Sequence, residues 1–156
     1  MNKIVVNAKE IPLPSWSGLM CEYAQKVLNE IKHDNWELSI LLCDDKTITG
    51  LNTQYRNKNE PTDILSFSLG ETIKNGDKTT YLPGDIVISL DTLRENARYF
   101  QTPEDEELRR LLIHGILHLD GMDHETISNN EPMLELQEKI LNRLKNEHII
   151  PLGEKN

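Results

Sequence analysis

The sequence has few of the features that mark membrane, disulfide-rich or disordered proteins. Its 156 residues include two cysteines, 8 glycines, 7 prolines and 5 % aromatic residues. Cys21 and Cys43 form no C-x-x-C pair, which favours two reduced, buried thiols over a redox or metal-binding role. Apolar runs such as 111–113 fall far short of the roughly 18 residues that a membrane span needs. We therefore expect one folded domain over 1–156 that makes no contact with membranes.

Basic residues are also in the minority. The chain has 26 acidic and 17 basic residues and a net charge of -9, which argues against general coating of nucleic acid by charge alone. Any basic groove would have to be local, and its candidate side chains are Lys3, Lys46, Arg56 and Lys58. The apolar stretch near the first residue is too short for a secretory signal, so we expect a cytoplasmic location.

Hydrophobic spacing predicts an α+β fold. Alternating apolar residues predict strands at 3–8, 37–43, 63–69 and 84–89, and helical spacing predicts helices at 16–33, 47–56, 91–100, 103–120 and 132–145. Ser15 and Thr102 are the expected capping residues of two helices, and Gly121 is an expected stop. The predicted architecture is a small mixed four-stranded sheet packed against about five helices, with a metal site on the helix and turn at 114–124.

Three of the five histidines fall within one short segment. His114 and His118 are four residues apart, so both imidazoles project from one face of a helix. Gly121 permits a left-handed turn that can bring His124 to the same ion. Three neutral imidazoles leave one tetrahedral position open, as in catalytic zinc sites. We therefore predict one zinc ion per chain, with nickel and iron as the open alternatives.

The histidine spacing also overlaps a protease pattern. The ligand positions match H-E-x-x-H-x-x-G-x-x-H, but Gly115 stands where the protease carries its general-base glutamate. Peptide hydrolysis would need another carboxylate, and Asp123 and Glu125 are the candidates. Because glycine inside a helix costs about 0.8 to 1 kcal/mol relative to alanine, we also expect Gly115 to leave open space for a substrate.

Three segments, in chain order, resemble the YbeY family of bacterial rRNA-maturation endoribonucleases. Residues 114–124 match the family pattern H-G-x-L-H-L-x-G-x-D-H in full. Residues 51–67 resemble it through L-N-x-x-Y-R-x-K-x-x-P-T-D-I-L-S-F, and residues 82–88 through L-P-G-D-I-V-I. The resemblance covers about residues 3–147. Asn59 departs from it, because the family often has aspartate there.

The resemblance implies a zinc-dependent, single-strand-specific endoribonuclease that acts in small-subunit rRNA maturation and ribosome quality control. The implied partners are single-stranded RNA, the small ribosomal subunit and its assembly factors. The family's metal ligands correspond to His114, His118 and His124, and its functionally important arginine corresponds to Arg56. These four residues form the predicted catalytic set, since an arginine fork can neutralise charge that develops on phosphoryl oxygens.

Two other functions stay open from the sequence. One is a non-catalytic ribosome-assembly factor in which zinc stiffens a binding surface, and the other is a metalloprotease related to the zincins. A fourth side-chain ligand, such as Asp123 or Glu125, would close the ion and favour the structural role.

Several polar and aromatic residues near these segments have two interpretations each. Asp63 and Asp85 could accept a hydrogen bond from a ligand histidine or cap a turn. Tyr55 and Phe67 could stack bases, but core packing explains them better. The remaining histidines, at 33 and 148, lie in polar contexts and are expected to be solvated.

Overall fold

A computed structural model describes residues 1–124 and 131–151, and these contain five helices and four strands. They are β1 (Lys3–Ala8), α1 (Ser17–Glu30), β2 (Glu37–Cys43), α2 (Asp45–Arg56), β3 (Ile64–Asn75), β4 (Lys78–Ser89), α3 (Leu90–Tyr99), α4 (Glu104–Leu119) and α5 (Pro132–Arg143). The predicted α+β class is confirmed. Within the described ranges, none of the helices is long and apolar enough to span a membrane.

The four strands form one mixed sheet in the order β1-β2-β4-β3. The β1–β2 and β2–β4 pairs are parallel, and β3 runs antiparallel to β4. The predicted mixed four-stranded sheet is therefore confirmed. β1 and β3 form its two opposite edges.

Each face of the sheet buries a different set of apolar side chains. Leu38, Ile40 and Ile86 point to the larger core, which α1, α4 and α5 complete. Leu65 and Val87 point to the other face, where α2 covers a smaller cluster. Helix α4 lies at the centre of the larger core and is buried around most of its surface, with nine buried residues. The few accessible side chains of α4, such as His114, therefore line grooves at the surface.

Both cysteines are free thiols, as predicted. Cys43 is buried in the smaller core, and burial raises the pKa of its thiol to about 12. Cys21 is only half-buried, so the expectation of burial holds for Cys43 alone.

The β3–β4 hairpin is much longer than the sequence predicts. The strands were expected at 63–69 and 84–89, but they extend to meet at a turn containing Gly76, whose φ is 66°. Side chains along the outer part of both strands are exposed on both faces. With neither face buried, this part of the hairpin shows no apolar alternation, which is the signal that the prediction used.

Two predicted capping residues are wrong. Helix α1 begins after Trp16, which makes no side-chain capping bond, so Ser15 lies one position too early. Pro103 is the N-cap of α4 in place of Thr102, and it has no side chain that could cap. Four acidic side chains in the first turn of α4 compensate by facing the positive end of the helix dipole.

Candidate metal centre

The three predicted histidines converge at the C-terminal end of α4. His114 and His118 occupy successive turns, and their Nε2 atoms are 3.1 Å apart. Gly121, at a φ of 92°, reverses the chain just after the helix and returns His124 to the same place. One nitrogen from each ring lies within 4.8 Å of the other two. All three rings are half-buried, and together they could hold a metal ion.

Hydrogen bonds fix which nitrogen of two rings carries the proton. His118 Nδ1 lies 3.0 Å from the backbone oxygen of Met122, and a carbonyl oxygen can only accept. His114 Nδ1 lies 2.6 Å from Oε1 of Gln137. Both Nδ1 atoms therefore donate, and both Nε2 atoms present lone pairs to each other.

This donor set fits a transition-metal ion. Two lone pairs that face each other at 3.1 Å repel unless a cation lies between them. Around a tetrahedral zinc ion, donors at 2.0 to 2.1 Å from the metal are themselves about 3.3 Å apart. Burial lowers the pKa of His114, and the neighbouring His118 and His124 lower it further, against the opposing effect of the Gln137 hydrogen bond. The ring is thus favoured in its neutral, metal-binding form.

Of the two carboxylates considered as a fourth ligand, Asp123 does not close this set. Asp123 is 86 % exposed, and its Oδ1 lies 4.0 Å from His118 Nδ1, the nitrogen that donates to Met122 and not the one that faces His114. Glu125 lies outside the described residues. Within the described part of the chain, the metal-binding group consists of the three histidines.

A groove of about 510 Å³ joins Arg56 to the histidines. Besides Arg56, its lining includes Thr62, Asp63, Ser66, Ser68, His114 and His118. Arg56 ends α2, and its Nη2 donates to the backbone oxygen of Ser66 on the edge strand β3 at 3.3 Å. The arginine predicted to serve catalysis thus lies in the same groove as two of the three histidines.

Asn52 holds the turn that follows Arg56. Its side chain is buried, and Nδ2 donates to the backbone oxygen of Glu60 at 2.9 Å. Its own backbone oxygen accepts from Lys58 N, across a left-handed residue at Asn57. From sequence, Asn52 is recognisable only as part of a motif, since its role depends on how the turn folds back onto α2.

A second groove, of about 370 Å³, opens on the α5 side of the histidines. Its polar lining includes Glu107, Arg110, Gln137 and Glu138, together with His114 and His124. Asp63 lines both grooves, and its Oδ2 accepts a hydrogen bond from Asn96 Nδ2 at 3.3 Å. Burial raises the pKa of both Asp63 and Glu107.

The other cations expected in a local basic groove lie elsewhere. Lys3 pairs with Glu37 at 3.4 Å on the sheet edge opposite β3. Lys46 lines a separate groove, and Lys58 is exposed outside the lining of the Arg56 groove. Of the four candidates for a local basic groove, only Arg56 therefore lines the groove of the histidines, because the fold separates residues that sequence composition had grouped.

The structure also decides between the open interpretations of two residues. Asp85 is exposed and lines neither groove, so it does not orient a histidine. Tyr55 is 60 % exposed, and core packing is wrong for it. Its ring meets that of Phe67 edge to face at 5.2 Å, and only Phe67 packs against the smaller core.

Gly115 does not leave open space above the helix. A Cβ at this position would lie 2.8 Å from Ile64 Cδ1 and 3.0 Å from Ile86 Cδ1, because Gly115 faces the sheet. The expectation of a substrate path across it is therefore wrong. The same contacts leave no room for the glutamate that the protease pattern requires here.

His33 and His148 are not simply solvated. His33 stacks on Trp36 at 4.4 Å between ring centroids, and its Nε2 lies 2.6 Å from Asp120 Oδ1. His148 Nδ1 lies 2.9 Å from Asp105 Oδ2. Each ring contacts an acidic residue at one end of α4, a pairing over 87 and 43 positions that local sequence does not reveal.

Proteins of similar sequence belong to one family. The family model for Endoribonuclease YbeY matches residues 4–145. A protein named Endoribonuclease YbeY from Treponema denticola is 44 % identical over 150 residues, covering 95 % of this chain and 97 % of the relative. Another from Borreliella burgdorferi is 44 % identical over 152 residues, covering 93 % and 95 %.

A solved structure has the same overall fold. The solution structure of TM1509 from Thermotoga maritima aligns with a TM-score of 0.61 at 26 % identity. The alignment covers 99 % of this chain and 100 % of the other. From the family match and these relatives together, the chain belongs to the Endoribonuclease YbeY family.

Proposed function

We propose that this protein is a zinc-dependent endoribonuclease that cuts single-stranded RNA during small-subunit rRNA maturation and ribosome quality control. The observation that carries the proposal is the shared groove of Arg56, His114 and His118. A phosphate bound there meets a guanidinium and the metal-binding histidines together. Membership of an endoribonuclease family supports RNA as the substrate class.

The residues of the groove have distinct roles in this proposal. His114, His118 and His124 hold the zinc ion. When bound, zinc supplies Lewis acidity toward a phosphoryl oxygen. Arg56 binds and orients the same phosphodiester, because a guanidinium can donate two parallel hydrogen bonds to phosphate oxygens.

Asp63 and three hydroxyl groups complete the polar lining. Thr62, Ser66 and Ser68 line the same groove as Arg56 and two of the histidines, and their hydroxyl groups can donate to phosphate or ribose oxygens. Asp63 faces both grooves, so it is placed to accept or return a proton as the phosphodiester bond breaks.

The aromatic pair beside Arg56 favours an unpaired strand. The Tyr55 ring is exposed, and its edge-to-face contact with Phe67 stabilises its orientation. An exposed ring next to a phosphate-binding arginine can stack on an unpaired base. The bases of a duplex are already paired and stacked on one another, so they are not available to the ring. In this proposal the enzyme works in the cytoplasm, where it meets the small ribosomal subunit and assembly factors.

The test compares Arg56→Glu with Lys58→Glu on single-stranded and duplex RNA. Both substitutions change the net charge equally, but only Arg56 lines the groove. We expect Arg56→Glu to reduce cleavage of single-stranded RNA at least 100-fold, and Lys58→Glu to reduce it less than threefold. Both should leave the free energy of unfolding within about 0.5 kcal/mol of the unmodified protein, as exposed substitutions usually do.

Equal cleavage by the two variants would refute the role of Arg56. Efficient cleavage of duplex RNA by the unmodified protein would refute the single-strand preference. A zinc-loaded protein that cuts neither RNA would return the function to a non-catalytic assembly factor.

A further inference from the structure

Gln137 stands out among the residues around the histidines. It lies on α5, 23 positions after His114, and its side chain is 7 % exposed. Its Oε1 is 2.6 Å from His114 Nδ1, and its Nε2 donates to Glu138 Oε2 at 3.1 Å. A buried amide with both ends engaged has one orientation available.

The direction of the amide follows from its far partner. A carboxylate oxygen only accepts, so the end of Gln137 that faces Glu138 must be the NH₂ group. The carbonyl end must then face His114. The ring nitrogen at that contact, Nδ1, must carry a hydrogen, which leaves Nε2 as the metal-facing lone pair.

Arg110 anchors this chain of contacts. Its Nε lies 3.1 Å from the same Glu138 oxygen, and its Nη2 lies 3.4 Å from the other. Glu106 and Glu107 hold the guanidinium from α4 at 3.2 and 3.5 Å. An ion-pair cluster between α4 and α5 thus fixes Glu138, and Glu138 fixes Gln137.

We propose that Gln137 is a positioning residue for the metal centre: it holds His114 in the tautomer and ring orientation that bind zinc through Nε2. The inference rests on the proposed zinc site. Acceptors of this kind typically contribute 10- to 100-fold to metal affinity. The Met122 carbonyl plays the matching part for His118, so the two ligands are oriented by separate elements.

The first test measures zinc affinity by competition with a chromophoric chelator, which requires no RNA. We expect Gln137→Leu to weaken zinc binding 10- to 100-fold. Gln137→Glu alone would set two carboxylates against each other at the Glu138 contact, so the rescuing variant is the double substitution Gln137→Glu with Glu138→Gln, which keeps an acceptor opposite Nδ1 and should stay within threefold of the unmodified protein. Gln25→Leu is the matched control, because Gln25 donates to Asn29 on α1, away from the site, and its loss should not change zinc affinity.

The second test needs no variant. In the zinc-loaded unmodified protein, nitrogen NMR should show His114 Nδ1 as the protonated nitrogen and Nε2 as the zinc-bound one. Zinc on Nδ1 would overturn the inference, even if Gln137→Leu does not fold. Unchanged zinc affinity in folded Gln137→Leu would also overturn it and leave the proposed function intact. Failure of the unmodified protein to bind zinc would defeat the proposed function itself.

Discussion

Gly115 and Gly50 are both interior to helices, yet their surroundings are opposite. A Cβ on Gly50 in α2 would meet nothing within 4 Å. A Cβ on Gly115 in α4 would press on Ile64 and Ile86 of the sheet. Gly50 therefore has only the entropic cost of glycine in a helix. Gly115, by contrast, lets α4 lie close to β3 and β4, next to Asp63 at the start of β3.

Substitutions at the two glycines should change stability in opposite directions. Gly50→Ala should raise the free energy of unfolding by about 1 kcal/mol, through helix propensity alone. Gly115→Leu should lower it by about 1 to 3 kcal/mol, because it overpacks the contact between α4 and the sheet. Urea unfolding monitored by circular dichroism measures both. A Gly115→Leu protein as stable as the unmodified one would show that the space above this residue is open after all.

At the scale of elements, Asp105 ties the segment after α5 to the start of α4. Its Oδ1 accepts from the backbone of Ile149 and Ile150 at 2.7 and 2.8 Å. Its Oδ2 accepts from Arg109 Nε at 2.9 Å and contacts His148. Burial acts to raise the pKa of Asp105, but these hydrogen bonds and the Arg109 charge outweigh it and lower the pKa.

A lowered pKa makes the contribution of Asp105 depend on pH in one direction. The stabilisation is fully present above the unfolded value of about 3.9 and is lost as the pH falls through the lower folded value. Asp105→Asn should lower the free energy of unfolding at pH 7 by about 3 kcal/mol, since it leaves the buried Arg109 without its ionic partner. The difference from the unmodified protein should shrink below about pH 4.

Denaturant unfolding across this pH range measures that difference. Glu104→Gln is the matched control, because Glu104 lies in the same first turn but outside the contacts of Asp105, and it should cost less than 1 kcal/mol. A difference between Asp105→Asn and the unmodified protein that is constant from pH 7 to pH 3 would contradict the assigned charge.

The elements differ in how far sequence could predict them. Helix α4 and its histidines follow from spacing within one turn and from one glycine, so local periodicity was sufficient. The outer part of the long hairpin could not be predicted, because neither of its faces is buried and it shows no apolar alternation. The role of Gln137 could not be predicted either. Its contact with His114 forms only when α5 packs on α4, and residue spacing carries no information on that packing.

The same limit applies to residues that look alike in the sequence. Lys3 and Arg56 looked equivalent as cations, but the strand order places Lys3 on the edge opposite β3. Gly115 was expected to leave open space for a substrate, because the helical pattern alone does not show how closely the sheet packs against this residue. In each case the missing information is the packing of elements that are distant in sequence.

At the scale of the whole molecule, the negative charge makes the metal centre the natural focus for an RNA strand. The chain carries a net charge of -9, which opposes the approach of a polyanion. In the groove, the Arg56 charge is opposed by the carboxylates of Asp63 and Asp123, and the proposed zinc ion would add two positive charges. Cleavage should therefore depend on occupancy of the three-histidine site more than on the overall surface.

The most direct measurement titrates zinc into metal-free protein and follows the initial rate of single-stranded RNA cleavage. The account predicts that the rate rises in proportion to added zinc and reaches its plateau at one ion per chain. In His118→Ala, the rate should stay at the metal-free level at the same zinc concentrations. Full cleavage by the metal-free protein, or an undiminished zinc response in His118→Ala, would contradict the central claim.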